Sequence, residues 1–278
     1  MKNILKIMLM MITIFTIAGS AVYAAEIPVS DQDQLITSSD WTEISNLQDE
    51  MKKEEPDATI DYDKALKVYV DCNLIKLQTA DTKKLTSALE SANYVWVIPF
   101  KMEKTYGMFT VAKGLPLSEE AKSVLTKAEQ EEVKNHAGKW MITETAEHTV
   151  EPYYDILLEK REALSDCTRV VLVGSQPGMR QPVALGMDDE TARIWISLGY
   201  QYPVMEKIPE TQNVESGVYS FESVAEISDT YIEDSEVSTG AGVQSRSSMK
   251  YVAGIGIIVI GSIIILSVLK KKKLEDYE

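Results

Sequence analysis

"YVWVIPFKMEKTYGMFTVAKG", Tyr94 to Gly114, sets two runs rich in β-branched and aromatic residues on either side of "EKT". That pattern predicts an antiparallel hairpin. Pro99 lacks a backbone N–H, which predicts that the first strand lies at an edge or carries a bulge.

The neighbouring segments extend this unit. Upstream, "ALKVYVDC" alternates Leu66, Val68, Val70 and Cys72 against Lys67, Tyr69 and Asp71, the period of a half-buried strand. Between it and the hairpin, "DTKKLTSALESA" predicts a short helix. Asp81 caps it, and Leu85, Ala88, Leu89 and Ala92 point inward. Downstream, "SEEAKSVLTKAEQEEVKNHAG" reads as one helix. Ser118 is its cap, Glu119 and Glu120 suit its positive end, and Gly138 stops it. "KWMITETAE" is a further strand. The order over 64–149 is β-α-β-β-α-β, that of the ferredoxin-like split βαβ arrangement.

After it, "EPYYDILLEKREALSD" predicts a helix with Tyr154, Leu157, Leu158 and Leu164 on one side. "TRVVLVGS" is continuously apolar, as in a central strand. "VALGM" and "ARIWISL" flank "DDET" as a second hairpin. The expectation is an α+β domain over 64–208 with a mixed or antiparallel sheet and three to four helices. The acidic segment 25–63 precedes it. There "DWTEISNLQDEMKKEEP" carries Asp40 and Glu43 at capping-box spacing, an apolar stripe of Trp41, Ile44, Leu47 and Met51, and a stop at Pro56. It predicts a helix docked on the domain. Residues 209–250, rich in Ser, Thr, Glu and Gly, read as an acidic stalk. Within it, Val218, Tyr219, Phe221 and Val224 are able to pack back on the domain.

The two ends supply an address. Residues 1–24 have Lys2 and Lys6, an apolar run, and Val22 and Ala24 before a cleavage point at Ala25, the layout of a secretory signal peptide. Val252–Leu269 holds 18 uncharged residues. As a helix it spans ~27 Å, close to a hydrocarbon core of ~30 Å. Lys270–Lys273 follow, which by the positive-inside rule puts the C-terminus in the cytoplasm. The expected layout is a transmembrane helix over 251–269, a tail over 270–278, and everything from Ala25 to Lys250 outside. No Leu-Pro wall-sorting motif precedes the span. Lysine far outnumbers arginine, which suggests a low-GC bacterial genome.

The chain carries −15. Without the six basic and three acidic residues of the two ends, the outer part has 22 basic against 40 acidic residues, or −18. Phosphate is repelled by such a surface, so nucleic acid is not expected as a partner. Cys72 and Cys167 are exported, and a disulfide between them is one expectation, two buried thiols the other. The histidines are His136 and His148. "EHTVE" is not a zincin motif, and "VGSQPG" has Val173 where a nucleophile elbow needs glycine. No P-loop, Rossmann or EF-hand signature occurs, and no cofactor or metal ligand is expected. The functional expectation is a membrane-tethered extracellular binding or scaffold domain. Its partners would be the lipid bilayer through 251–269 and an envelope protein or glycan. The alternative is a cysteine-dependent hydrolase using Cys167 with His136 or His148.

Overall fold

A computed structural model describes residues 27–148, 151–174, 176, 182–198, 208 and 213–226. The segments read as signal peptide, span and tail lie outside the described residues, and among those described no helix is long and apolar enough to cross a membrane. Ten strands form one mixed sheet. They are β1 (Thr59–Ile60), β2 (Leu66–Tyr69), β3 (Tyr94–Lys101), β4 (Tyr106–Lys113), β5 (Trp140–His148), β6 (Arg169–Val173), β7 (Val183–Met187), β8 (Ala192–Ser197), β9 (Asn213–Glu215) and β10 (Val218–Ser220). The order across the sheet is β5-β4-β3-β2-β6-β7-β8-β10-β9, and β1 pairs with β3. Helices are α1 (Trp41–Ile44), α2 (Gln48–Glu54), α3 (Thr82–Glu90), α4 (Glu119–Val124), α5 (Lys127–His136) and α6 (Tyr153–Glu159).

The β3–β4 hairpin forms with pairs from Val95↔Ala112 to Lys101↔Tyr106. Its first strand is not at an edge. β2 pairs with β3 up to Leu66↔Val97, and β1 takes over at Ile60↔Phe100. Pro99 falls in the break between these two partners, so no ladder bond is lost there.

The ferredoxin-like expectation is corrected. Its elements appear in the expected order, but β2 and β3 pair directly and antiparallel, so β2-β3-β4-β5 is a meander. The reason lies in the loop after β2. Residues 70–80 descend across the sheet, and Asp81 bridges Thr191 just before β8. Helix α3 then climbs back, Val70 N–H donates to the Asn93 carbonyl, and β3 must run down. β2 makes its parallel contact with β6 instead, through Val68↔Leu172 and Tyr69↔Val173.

Alternate residues feed two layers. Val68, Val170, Leu172, Ala184 and Ile196 pack with Tyr153 and Leu157 of α6. On the opposite face, Val171, Val173, Leu185 and Trp195 pack with Leu85 and Leu89 of α3. Beside them, Trp96, Ile98, Phe100, Phe109 and Val111 pack under Ile44 and Met51 of the 41–54 helical stretch. Asp81 caps α3 by accepting from Lys84 N–H at 3.0 Å. The docked N-terminal helix is present, but Asp40 does not cap it. Its carboxylate instead accepts from Tyr94 OH at 2.8 Å and Trp96 Nε1 at 3.0 Å. The single helix expected at 118–138 is two. Thr126 and Glu129 form a capping box that starts α5, and the Gln130 amide donates to the carbonyls of Lys122 and Leu125 at the end of α4. Leu158, expected inward, is 39% exposed.

The chain enters through the sheet. Where the starts of β2 and β6 part, residues 27–35 fill the gap as a strap. Val170 N–H donates to the Pro28 carbonyl, Leu35 N–H donates to the Ala65 carbonyl, and Gln34 bridges Leu66. Ile27 and Val29 join the α6 layer, whereas Leu35 joins the layer under α1 and α2. At the other end of the described chain, the segment read as the start of the stalk supplies β9, β10 and a helical turn over 221–226. Val218, Tyr219, Phe221 and Val224 are all buried, as their apolar spacing allowed.

Gly186 on β7 meets the turn before β6 at close range. A Cβ there would lie 2.7 Å from Cys167 Sγ and 3.1 Å from Leu164 Cδ2. Gly186→Ala is expected to lower stability in urea unfolding by about 1–3 kcal/mol through overpacking. Adding Cys167→Ala should recover part of that loss. Equal stability of Gly186→Ala and the parent would show that the contact is slack.

Candidate functional site

The expected cysteine pair is not brought together. Cys72 follows β2 in the α3 layer, and Cys167 precedes β6 in the α6 layer. Because β2 and β6 are parallel, the end of one and the start of the other lie at opposite ends of the sheet. The five residues of β6 alone measure ~17 Å. Both thiols are free and buried, so the disulfide expectation is corrected. Burial raises each thiol to about 11, with Asp71 adding to the effect at Cys72 and Arg193 opposing it at Cys167.

The histidines are also apart from Cys167. His136 ends α5 beside the β4–β5 connection, and the backbone of His148 pairs with Tyr106 at the end of β5. β5 and β6 are four strand steps apart, or ~19 Å. A thiol held protonated and an imidazole that far away do not make a nucleophile pair.

Cys167 does line a cleft. Its volume is about 930 Å³. Four separate segments form it: the descending loop after β2, the turn before β6, the start of β8, and the 221–226 turn. Ala80, Ala192, Ile194 and Phe221 supply an apolar floor, and Asp166, Arg193, Glu222 and Glu226 supply the charges. Arg193 is committed to Asp188 through a short hydrogen bond from Nε. Asp188 also accepts from the N–H groups of Glu190 and Thr191, which fold the "DDET" turn and hold its pKa below the usual carboxylate range, with Arg193 acting in the same direction. Among the described residues, Asp166 and Glu222 form no salt bridge. The sequence signals for this cleft were separate ones: the Cys167 turn, the second hairpin, and the apolar spacing of Val218 to Val224. Nothing local indicated that they meet.

A second polar constellation lies in the seam between the α3 cover and the α1–α2 cover. Asp33, 2% exposed, accepts from Ser30 Oγ at 2.6 Å, Tyr69 OH at 2.7 Å and Arg169 Nη2 at 2.9 Å. Lys67 Nζ is 3.7 Å from the same carboxylate and 4.5 Å from the centre of the Tyr94 ring. Burial lowers the Lys67 pKa, and Asp33 works against that shift. Burial followed by the Asp33 hydrogen bond raises the Tyr69 hydroxyl. Every polar partner here comes from the strap or from the strands it joins, so the cluster anchors the strap. Among the described residues, no group of three or more His, Cys, Asp or Glu side chains is placed to hold a metal ion.

No protein family, no curated protein and no solved structure matches the chain.

Two measurements follow from this geometry. Asp33→Asn leaves two buried cations short of a charge and is expected to cost about 3 kcal/mol in urea unfolding. Lys67→Met in the same chain should return part of it, and a neutral effect of Asp33→Asn would show that the cluster is solvated. Alkylation of the unreduced, denatured chain should label both cysteines; an unlabelled pair would restore the disulfide. The thiols also set a pH window. Their folded values of about 11 exceed the usual 9.0, so their contribution is full below about pH 9 and falls as pH rises toward 11.

Proposed function

We propose that this chain is a membrane-tethered extracellular binding domain that meets an envelope protein or glycan through the cleft beneath β8. The observation that carries the reading is the uncharged run Val252–Leu269 with Lys270–Lys273 behind it, paired with the export signal at 1–24. The two together leave the α+β domain outside and a nine-residue tail inside. A cleft whose walls come from four separate segments supports binding. Against the cysteine-hydrolase alternative stand the ~19 Å between β5 and β6 and the elevated Cys167 thiol.

Protease added to intact, wall-stripped cells is expected to destroy an epitope inserted between α4 and α5 and to spare one appended to the tail. Protection of the outer epitope would overturn the topology. Single Cys167→Ser and His136→Gln variants should keep partner capture on envelope extract, whereas loss of activity in a folded Cys167→Ser protein would favour the enzyme.

A further inference from the structure

We propose that residues 27–35 are exchanged between two copies of this chain, the strap of each filling the slot between β2 and β6 of the other.

The slot is an opening with two strand edges facing each other. β2 and β6 pair at Val68↔Leu172 and Tyr69↔Val173, at their far ends, so the backbone of their starts is left for the strap. Facing edges of this kind accept an extended segment with fitting side chains. The strap meets them through the Pro28 carbonyl, which takes Val170 N–H, and through Leu35 N–H, which goes to the Ala65 carbonyl. Side chains supply the rest of the hold: Ile27, Val29 and Leu35 in the apolar layers, and Asp33 on Tyr69 and Arg169. All of these groups lie within residues 27–35. A strap therefore carries its whole recognition set into any slot of the same sequence.

Three features favour a neighbour's strap over the chain's own. The first is a donor left over. Arg169 Nη2 donates to one Asp33 oxygen at 2.9 Å, but its buried Nε meets no acceptor among the described residues. A turn behind the strap fixes that seating, because Ser38 N–H donates to the carbonyls of Gln34 and Leu35. A strap arriving from another copy is not held by that turn. It is free to set its carboxylate across Nη2 and Nε together, the bidentate pairing of arginine with a carboxylate. The second feature is the hinge. Ile36, Thr37 and Ser39 are exposed, whereas Leu35 before them and Ile44 after them are fully buried. A short hinge between two buried anchors opens without uncovering core of its own, which makes it a low-cost point of exchange. The third is the tether, which holds copies in one bilayer at high local concentration; this step rests on the membrane-tethered reading above.

Gln34 and Leu66 stand directly opposite each other in an antiparallel bridge, within reach of a disulfide. The test places Gln34→Cys and Leu66→Cys together in one full-length chain. Membranes of the expressing cells are oxidised mildly and run unreduced on a denaturing gel. Exchange joins two chains, so at least tenfold more two-chain product is expected than from the parent, whose own two thiols are buried. A disulfide closed within a single chain would overturn the proposal. So would a covalent product of any other mass, which would put a foreign strand in the slot. If no disulfide forms, sedimentation of the parent chain in dodecylmaltoside decides. A two-chain mass that falls to one chain in Asp33→Asn, with circular dichroism showing that variant folded, upholds exchange, and any other result overturns it. The protease assay reads the topology separately: a protected outer epitope removes the tether, whereas the origin of the strap is still read from the disulfide.

Discussion

A carboxylate withdrawn from water must be matched where it stands, and Asp33 is 2% exposed. Its two oxygens take three hydrogen bonds and lie near a fourth polar group, from three different parts of the chain. Ser30 belongs to the strap, Lys67 and Tyr69 to β2, and Arg169 to β6. A one-residue slip of the strap would set Gln32 or Gln34 against those partners in place of a carboxylate. The cluster therefore fixes how far residues 27–35 slide into the gap, and with them where Leu35 meets the Trp96 layer and where Ile27 meets the α6 layer. Ion clusters of this kind contribute little net stability over apolar packing, but removal of one partner is costly. Specification of register is the use that fits Asp33.

The same seam explains the fate of Asp40. Two helical covers lie side by side on one face, and the strip between them is lined by Tyr69, Tyr94, Trp96 and Lys67. Aromatic hydroxyl and indole donors in a closed strip need acceptors. Asp40 serves Tyr94 and Trp96, and Asp33 serves Tyr69. Both aspartates come from the N-terminal segment, so the acidic character of residues 25–63 is in part an internal requirement of the sheet.

The elements legible in the sequence were those with local causes. The hairpin at Tyr94–Gly114, the caps at Asp81 and Ser118, and the buried strand at Arg169–Val173 rest on period, turn and cap chemistry within a few residues. Thr126 and Glu129 also carried a local signal, the capping box, which outweighs the helical period running through it. What the sequence left open is pairing between distant segments. The β-α-β-β-α-β order is common to a split βαβ and to a meander, and only the descent of residues 70–80 to Thr191 decides between them. Cys72 and Cys167 flank neighbouring strands, yet their separation depends on whether those strands run parallel. The cleft is the extreme case, since its walls come from four segments with no common local signature.

The strap gives the molecule a temporal order. Asp33 and Arg169 are 136 residues apart in the chain. The opening that residues 27–35 occupy has one wall in β2 and the other in β6, so it does not exist until β6 has been added. The part of the domain that emerges first is thus unable to find its place until more than a hundred later residues have arrived. During that interval Ile27 and Val29 lack the β6 and α6 side chains they pack on, and Asp33 lacks Arg169. A protein whose opening residues close its own sheet is finished from the beginning of its chain, not from the end.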